Sequence, residues 1–284
     1  MYRFSFFVSL FLVSGLSLLT AQVTVTTGLN VSQYLQQFAG AGVTILPNSA
    51  TITGHPNQIG VFNFANNIPN VGVEQGLVLS SGSVNFVQSF IPNTNAFFPV
   101  PTEADSAIFG PGDPGLDQLS TATTSDAVVL EFQFVPSGDT AQFEYMFASD
   151  EYEEWAPPSV ASFNDVFGFF ISGPGIVGEE NIALIPGTTT PVAINNVNPV
   201  TNTQFYNGND PGFLGTAPEP EMMFDGYSDV FVAQREVIPC DTYTLSLRLA
   251  DAFDSIFDTG VFLVGNLMFR FRPTRPLPAQ VVIS

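Results

Sequence analysis

The chain has 284 residues, no lysine, six arginines and a net charge of −20 at pH 7. This acidity excludes a nucleic-acid-binding protein, which needs a basic surface, and 45% hydrophobic content excludes a disordered chain. An apolar run at residues 4–19 follows Arg3 and is too short to span a bilayer. It predicts a signal peptide, residues 1–21, cleaved between Ala21 and Gln22. We therefore expect a secreted or cell-surface protein with no membrane span in the mature chain.

Short strands separated by turns follow in chain order, and one helix interrupts them. Asn30 can cap a helix over residues 31–38. Residues 127–135 and 241–250 alternate apolar and polar side chains, which predicts strands with one buried face. The link 136–139 between two such runs predicts a β-hairpin. The pattern indicates an all-β protein, a two-sheet jelly-roll-like sandwich with one short N-terminal helix. We expect one domain over residues 22–271 and a Pro-rich extended tail at 272–284.

The stretch 143–175 places an acidic loop between two apolar runs. Four carboxylates fall within residues 150–154, and the nearest arginine in sequence is Arg235. Because like charges at close range repel, the loop has to be solvated or neutralised by a cation. Carboxylates, Asn side chains and backbone carbonyls suit Ca²⁺, which takes six to eight oxygen ligands.

The candidate calcium ligands lie in three groups at the ends of strand-like runs, where the loops of a sandwich can meet. They are Asp150 and Glu151, then Asn164 and Asp165, then Asp251, Asp254 and Asp258. Their spacing does not match an EF-hand, so the alternative is that these side chains are solvated or stabilise turns. A transition-metal site is disfavoured because the chain has one histidine and one cysteine.

The same loop carries two aromatic side chains, Tyr152 and Trp155, that are candidates for contacting a ligand. Glu151, Glu153 and Glu154 beside them leave open a carboxylate-dependent glycoside hydrolase, in which two carboxyl groups flank a sugar. No G-x-S-x-G sequence is present, and the single histidine limits other catalytic arrangements. The residues therefore favour a non-catalytic binding or adhesion module, with a carbohydrate or a surface protein as its ligand, over an enzyme.

Five ordered blocks of the sequence resemble one family. They are GDPGLDQLS from Gly112, DAVVLEFQFVPSGDTAQFEYMFASDEYEEW from Asp126, SFNDVFGFFISGPG from Ser162, NIALIPGTTTPVAINNVN from Asn181 and LRLADAFDSIFDTGVFL from Leu247. Together they resemble the choice-of-anchor L domain of exported bacterial proteins, common in Bacteroidota. The resemblance implies a secreted or cell-surface protein and no established reaction. Members carry varied C-terminal anchoring signals, and no recognisable sorting domain follows residue 271 here.

Overall fold

The computed structural model describes residues 23–40, 43–64, 71–85, 87, 108–157, 163–209, 222, 224–265 and 268–270. The predicted signal peptide, residues 1–21, and the predicted tail, residues 272–284, lie outside the described residues. Within the described ranges, no helix has the length and hydropathy needed to cross a membrane.

The described chain contains strands β1 to β15 and one α-helix, α1 (Val31–Phe38). The first eight strands are β1 (Val23–Thr26), β2 (Val43–Ile45), β3 (Thr51–Thr53), β4 (Ile59–Phe64), β5 (Gln75–Ser80), β6 (Thr124–Pro136), β7 (Thr140–Ser149) and β8 (Val166–Ser172). The others are β9 (Glu180–Asn181), β10 (Tyr206–Gly208), β11 (Gly226–Ser228), β12 (Phe231–Glu236), β13 (Tyr243–Ala252), β14 (Thr259–Val264) and β15 (Met268–Arg270). Short 3₁₀ turns lie at Pro56–Gln58, Leu116–Gln118 and Thr203–Phe205.

The strands form two antiparallel sheets. The first has the order β1-β4-β5-β14-β7-β11-β10, with β12 and β15 also paired to β7. The second has the order β2-β6-β13-β8-β9, with β3 paired to β6. The predicted all-β sandwich of two sheets with one short N-terminal helix is confirmed.

Helix α1 begins where the sequence predicts. The Asn30 side chain accepts a hydrogen bond from the Gln33 N–H, and the Gln33 side chain accepts one from the Asn30 N–H, which completes a capping box. The helix buries an aromatic face, and the Phe38 ring lies 6.2 Å from Phe132 of β6 and 5.3 Å from Phe143 of β7. Because those rings belong to different sheets, the helix packs against both sheets of the sandwich.

The predicted hairpin between β6 and β7 is wrong. Strand β6 pairs with β2, β3 and β13, whereas β7 pairs with β11, β12, β14 and β15. The link 137–139 therefore crosses from one sheet to the other. Alternation in β6 and in the first half of β7 reflects one buried face on each, and the two faces meet across the sandwich instead of lying side by side. The second half of β7 is buried on both faces, because Met146 and Ala148 pack in a separate apolar cluster.

Candidate functional site

Two inter-sheet crossings lie at one end of the sandwich and carry most of the predicted ligands. The loop 150–165 joins β7 in the first sheet to β8 in the second, and the loop 253–258 joins β13 back to β14. Thr259 pairs with Ser149 in the first sheet, and Ala250 pairs with Val166 in the second. The Thr259 hydroxyl donates to Asp165, which precedes Val166, so the four strand ends are neighbours. The register thus places the acidic segments of both loops in one region, which we call the acidic end.

Five of the predicted acidic ligands are buried at this end, with 1–2% of their surface exposed: Asp150, Glu151, Asp165, Asp251 and Asp258. Burial of a carboxylate is costly unless it is paired or binds a metal. The loops therefore do not hold these groups in bulk water, as the solvated alternative requires. Asp254 is half-buried beside them.

Hydrogen bonds tie the crossing loops to one another. The Asp165 carboxylate accepts from the Ala252 N–H at 2.8 Å and from the Thr259 hydroxyl at 2.6 Å. The Asp150 N–H donates to the Asp258 carbonyl at 3.1 Å. Asp165 of the first loop is thus fixed against both ends of the second loop.

Two buried carboxylates lack this compensation. Neither oxygen of Glu151 has a hydrogen-bond partner, and its own N–H donates to the Ser149 hydroxyl. The Asp251 oxygens make no well-formed hydrogen bond either, although the Ser81 hydroxyl acts to lower the pKa of this group. Buried polar atoms without partners are rare in native proteins, and a bound ion or an ordered water is one way to satisfy them.

Burial and mutual repulsion raise the pKa of these acids. The pKa of Glu151 is raised from 4.5 to about 10 by burial first, then by the charges of Asp165, Asp254 and Asp150. Burial raises the pKa of Asp165 from 3.8 to about 7, against the lowering effect of its two hydrogen bonds. Burial and the Asp165 charge hold the pKa of Asp251 well above its ordinary value. These side chains therefore lie close enough to influence one another's charge.

No arginine compensates the acidic end among the side chains that the structure describes. Arg235 pairs with Glu180 at 2.9 Å, and Arg248 pairs with Glu179 and, at 3.7 Å, with Asp113. The Arg248 guanidinium also lies over the Phe170 ring, 4.4 Å from its centroid. Both described arginine side chains are committed elsewhere.

The candidate side chains have the oxygen atoms that Ca²⁺ prefers, but in the described residues they do not lie close enough together to coordinate one ion. All the candidate side chains offer oxygen, which Ca²⁺ prefers. Over the described ranges, no three Asp, Glu, His or Cys side chains are arranged to hold a metal ion. The acidic end is therefore a group of interacting buried carboxylates, in which at least the Glu151 oxygens lack partners.

Two predicted residues have other contacts. The Asn164 side-chain oxygen accepts a hydrogen bond from the Asn195 N–H at 2.8 Å, so it positions a neighbouring loop. Tyr152 is fully buried, and its hydroxyl donates to the Val197 carbonyl. The ring of Tyr152 lies in the core, where a ligand at the surface does not reach it.

Trp155 lies at the surface in an aromatic group that both crossing loops build. Its ring centroid is 5.3 Å from Phe163 and 6.1 Å from Phe257, and Phe163 is 5.0 Å from Phe253. Trp155 is 37% exposed and Phe253 is 63% exposed. We call these four residues the aromatic surface.

Sequence reasoning missed three residues of the acidic end. Asp126 is buried and contributes to the raised pKa of Asp251, while its carboxylate accepts from the Ile108 and Gly110 N–H groups. A Cβ at Gly82 would overlap the Asp258 carboxylate. Together with Ser81, these residues lie on or next to β6 and β5, which pair with β13 and β14, the strands that flank the second crossing loop.

The family of the chain follows from its sequence match. The model of the choice-of-anchor L domain family matches residues 19–268, which is most of the chain. No curated protein and no solved structure matches the chain. The chain belongs to the choice-of-anchor L domain family.

Proposed function

We propose that this protein is a non-catalytic binding or adhesion module, secreted or held at the cell surface, whose acidic end is organised by Ca²⁺. Family membership supports the coarser part, a surface-associated non-catalytic module. The ligand we expect at the crossing loops is a glycan or a protein of the cell surface. The rigid sandwich would hold these loops in place, as in many binding proteins.

The calcium part of the proposal depends on one observation. Glu151 is 1% exposed, and both its carboxylate oxygens lack a partner amid other acidic side chains. A cation at this position supplies the missing partner and removes the repulsion between neighbouring carboxylates. The oxygen-only donor set selects Ca²⁺ over softer metals.

The arrangement of the two crossing loops indicates how a bound Ca²⁺ would stabilise the fold. Glu151 and Asp165 lie on the first crossing, Asp251 lies near the end of β13 just before the second crossing, and Asp258 lies at the end of that crossing. A cation between them would draw the carboxylates closer and join the two crossings at the edge of both sheets. Since the ion binds the native state only, it would add to the free energy of unfolding.

Thermal melting in EDTA, in Ca²⁺ and in Mg²⁺ at matched ionic strength tests the proposal. We expect a rise in Tm that is specific to Ca²⁺ and is reduced by Asp165→Asn and Asp251→Asn. Glu144→Gln, an exposed change on β7, is the control and should keep the full rise. An equal rise in Tm with Ca²⁺ and Mg²⁺ would show that the cations only screen the net charge of −20, and it would contradict a calcium site at the acidic end.

The glycoside hydrolase remains the competing function, and an activity assay separates the two. Glu151 is buried, whereas Glu153 and Glu154 are exposed on the same loop. We expect purified protein to leave a broad panel of polysaccharides uncleaved. Turnover that is abolished by Glu151→Gln would instead support the hydrolase.

A further inference from the structure

We propose that the aromatic surface, Trp155, Phe163, Phe253 and Phe257, binds the ring of an uncharged carbohydrate. This inference rests on the proposed function, because the loops that carry the aromatic side chains are those that the proposed calcium site would join. It narrows the ligand from a glycan or a surface protein to a neutral sugar.

The two exposed rings of the aromatic surface pack against two half-buried rings. Phe163 and Phe257 are half-buried. Phe163 contacts both exposed rings, Trp155 and Phe253, and Phe257 contacts Trp155. The φ angles of Phe253 and Phe257 are +91° and +63°, a conformation that bulky residues rarely adopt. The loop thus holds aromatic side chains in position at some conformational cost, which is common at ligand sites.

The small size of this surface argues against a protein partner or a second copy of the chain. Allowing about 150–250 Å² for each aromatic side chain, Trp155 and Phe253 together expose on the order of 200 Å². A specific protein interface buries about 800 Å² on each partner. A few stacked rings are instead on the scale of one or two sugar units.

The charges around the surface select an uncharged ligand. Glu153 and Glu154 are exposed next to Trp155, and neither described arginine side chain reaches this end. Carboxylates accept hydrogen bonds from sugar hydroxyls, while an apolar C–H face of the sugar packs on an aromatic ring. The same carboxylates repel anionic glycans and phospholipid headgroups. Inserting the rings into a membrane would also bring these carboxylates toward the apolar layer, which is costly.

The aromatic surface and the acidic end share their backbone. Trp155 follows Glu151 by four residues, and the Trp155 N–H donates to the Glu151 carbonyl at 3.1 Å. Phe253 and Phe257 lie between Asp251 and Asp258 on the second crossing. A cation that fixes the carboxylates would fix the rings, so sugar and Ca²⁺ should strengthen each other's binding.

Affinity electrophoresis tests the inference with neutral polysaccharides as probes: β-glucan, α-glucan, mannan, galactan and arabinoxylan. We expect at least one of them to retard the protein in Ca²⁺, and Trp155→Ala or Phe253→Ala to weaken that binding about tenfold or more. The control is Ile238→Ala, which removes an exposed apolar side chain near the opposite end of β7 and should change nothing. Trp155 is the only tryptophan, so its fluorescence reports the same binding in solution.

Other outcomes contradict the sugar surface or its coupling to Ca²⁺. Absence of retardation by all five polysaccharides, or retardation that both aromatic variants keep, rejects the sugar surface. Binding to lipid vesicles, or dimerisation lost in Phe253→Ala, would assign the surface to a different partner. A Ca²⁺-specific rise in Tm without polysaccharide binding would reject this inference alone. Equal sugar binding in Ca²⁺ and EDTA would reject the coupling to the cation.

Discussion

The substitution Glu151→Gln should have opposite effects with and without calcium. Gln keeps the size and shape of the side chain but cannot ionise. In EDTA the variant should be more stable than the wild type, because it no longer places an acid among other buried acids. In Ca²⁺ it should lose part of the stabilisation, because a carboxylate ligand has become a neutral amide.

The size of the effect in EDTA follows from the raised pKa of Glu151. The pKa rises from 4.5 to about 10 on folding, so at pH 7 the native carboxyl holds a proton that the unfolded chain has released. Taking up that proton at pH 7 costs about 3 kcal/mol, at 1.36 kcal/mol for each pH unit above 4.5. Removing this cost should raise the Tm by several degrees, at about 2–4 °C for each kcal/mol in a domain of this size.

The stabilisation by Ca²⁺ is estimated separately, from its binding to the native state. A ligand that binds only the native state, at one hundred times its dissociation constant, adds about 2.7 kcal/mol to the free energy of unfolding. Extracellular calcium sites often have dissociation constants on the order of 10⁻⁴ to 10⁻³ M, so millimolar Ca²⁺ gives a smaller gain. The wild type should therefore respond by a few degrees, and Glu151→Gln by less.

Differential scanning calorimetry of both proteins at pH 7, in EDTA and in Ca²⁺, measures the two effects together. Glu154→Gln is the matched control, since it removes the same charge from an exposed position in the same loop. A lower Tm of Glu151→Gln than of the wild type in EDTA would contradict the expected cost of burying this acid. An undiminished calcium response of the variant would contradict a role for Glu151 as a calcium ligand.

The remaining predictions concern pH, packing and processing. In EDTA, calorimetric stability should fall as pH rises from about 4 to 7 and beyond, because Asp165 and Glu151 have raised pKa values and hold native-state protons that unfolding releases; stability that rises over this range would contradict it. Gly82→Ala should destabilise the fold by about 1–3 kcal/mol in urea titrations, since its Cβ overlaps the Asp258 carboxylate. A wild-type midpoint would show that the carboxylate moves freely. Mass spectrometry of exported protein should find an N-terminus at residue 22, and an intact leader would contradict cleavage there.

Local signals predicted the individual elements well. The helix over 31–38 has its bounds and its Asn30 cap in the structure as in the sequence, because capping and helical spacing involve only neighbouring residues. The alternation of β6 also appears as alternate burial of Val128, Leu130 and Phe132. Periodicity does not say which strand pairs with which, and the hairpin prediction between β6 and β7 was wrong for that reason.

The burial and contacts of the acidic end could be predicted only in part, because they depend on how distant strands pair. Strand-end positions correctly indicated that distant carboxylates face one region, but sequence gave no sign that Glu151 is buried, since clustered acids in loops are usually solvated. The sequence does not show that the side chains of Tyr152 and Asn164 make hydrogen bonds inside the fold, because their partners, Val197 and Asn195, are remote in sequence. Asp126 was missed because its role comes from pairing of β6 with β13.

Direct counting of bound calcium tests the central claim most plainly. Equilibrium dialysis of the full chain against Ca²⁺ at millimolar concentration and high Na⁺ excludes general screening of the acidic surface. We expect at least one Ca²⁺ bound for each chain, and loss of that ion in the double variant Glu151→Gln, Asp251→Asn. No bound Ca²⁺, or the same amount bound by the double variant, would contradict a calcium site at the acidic end.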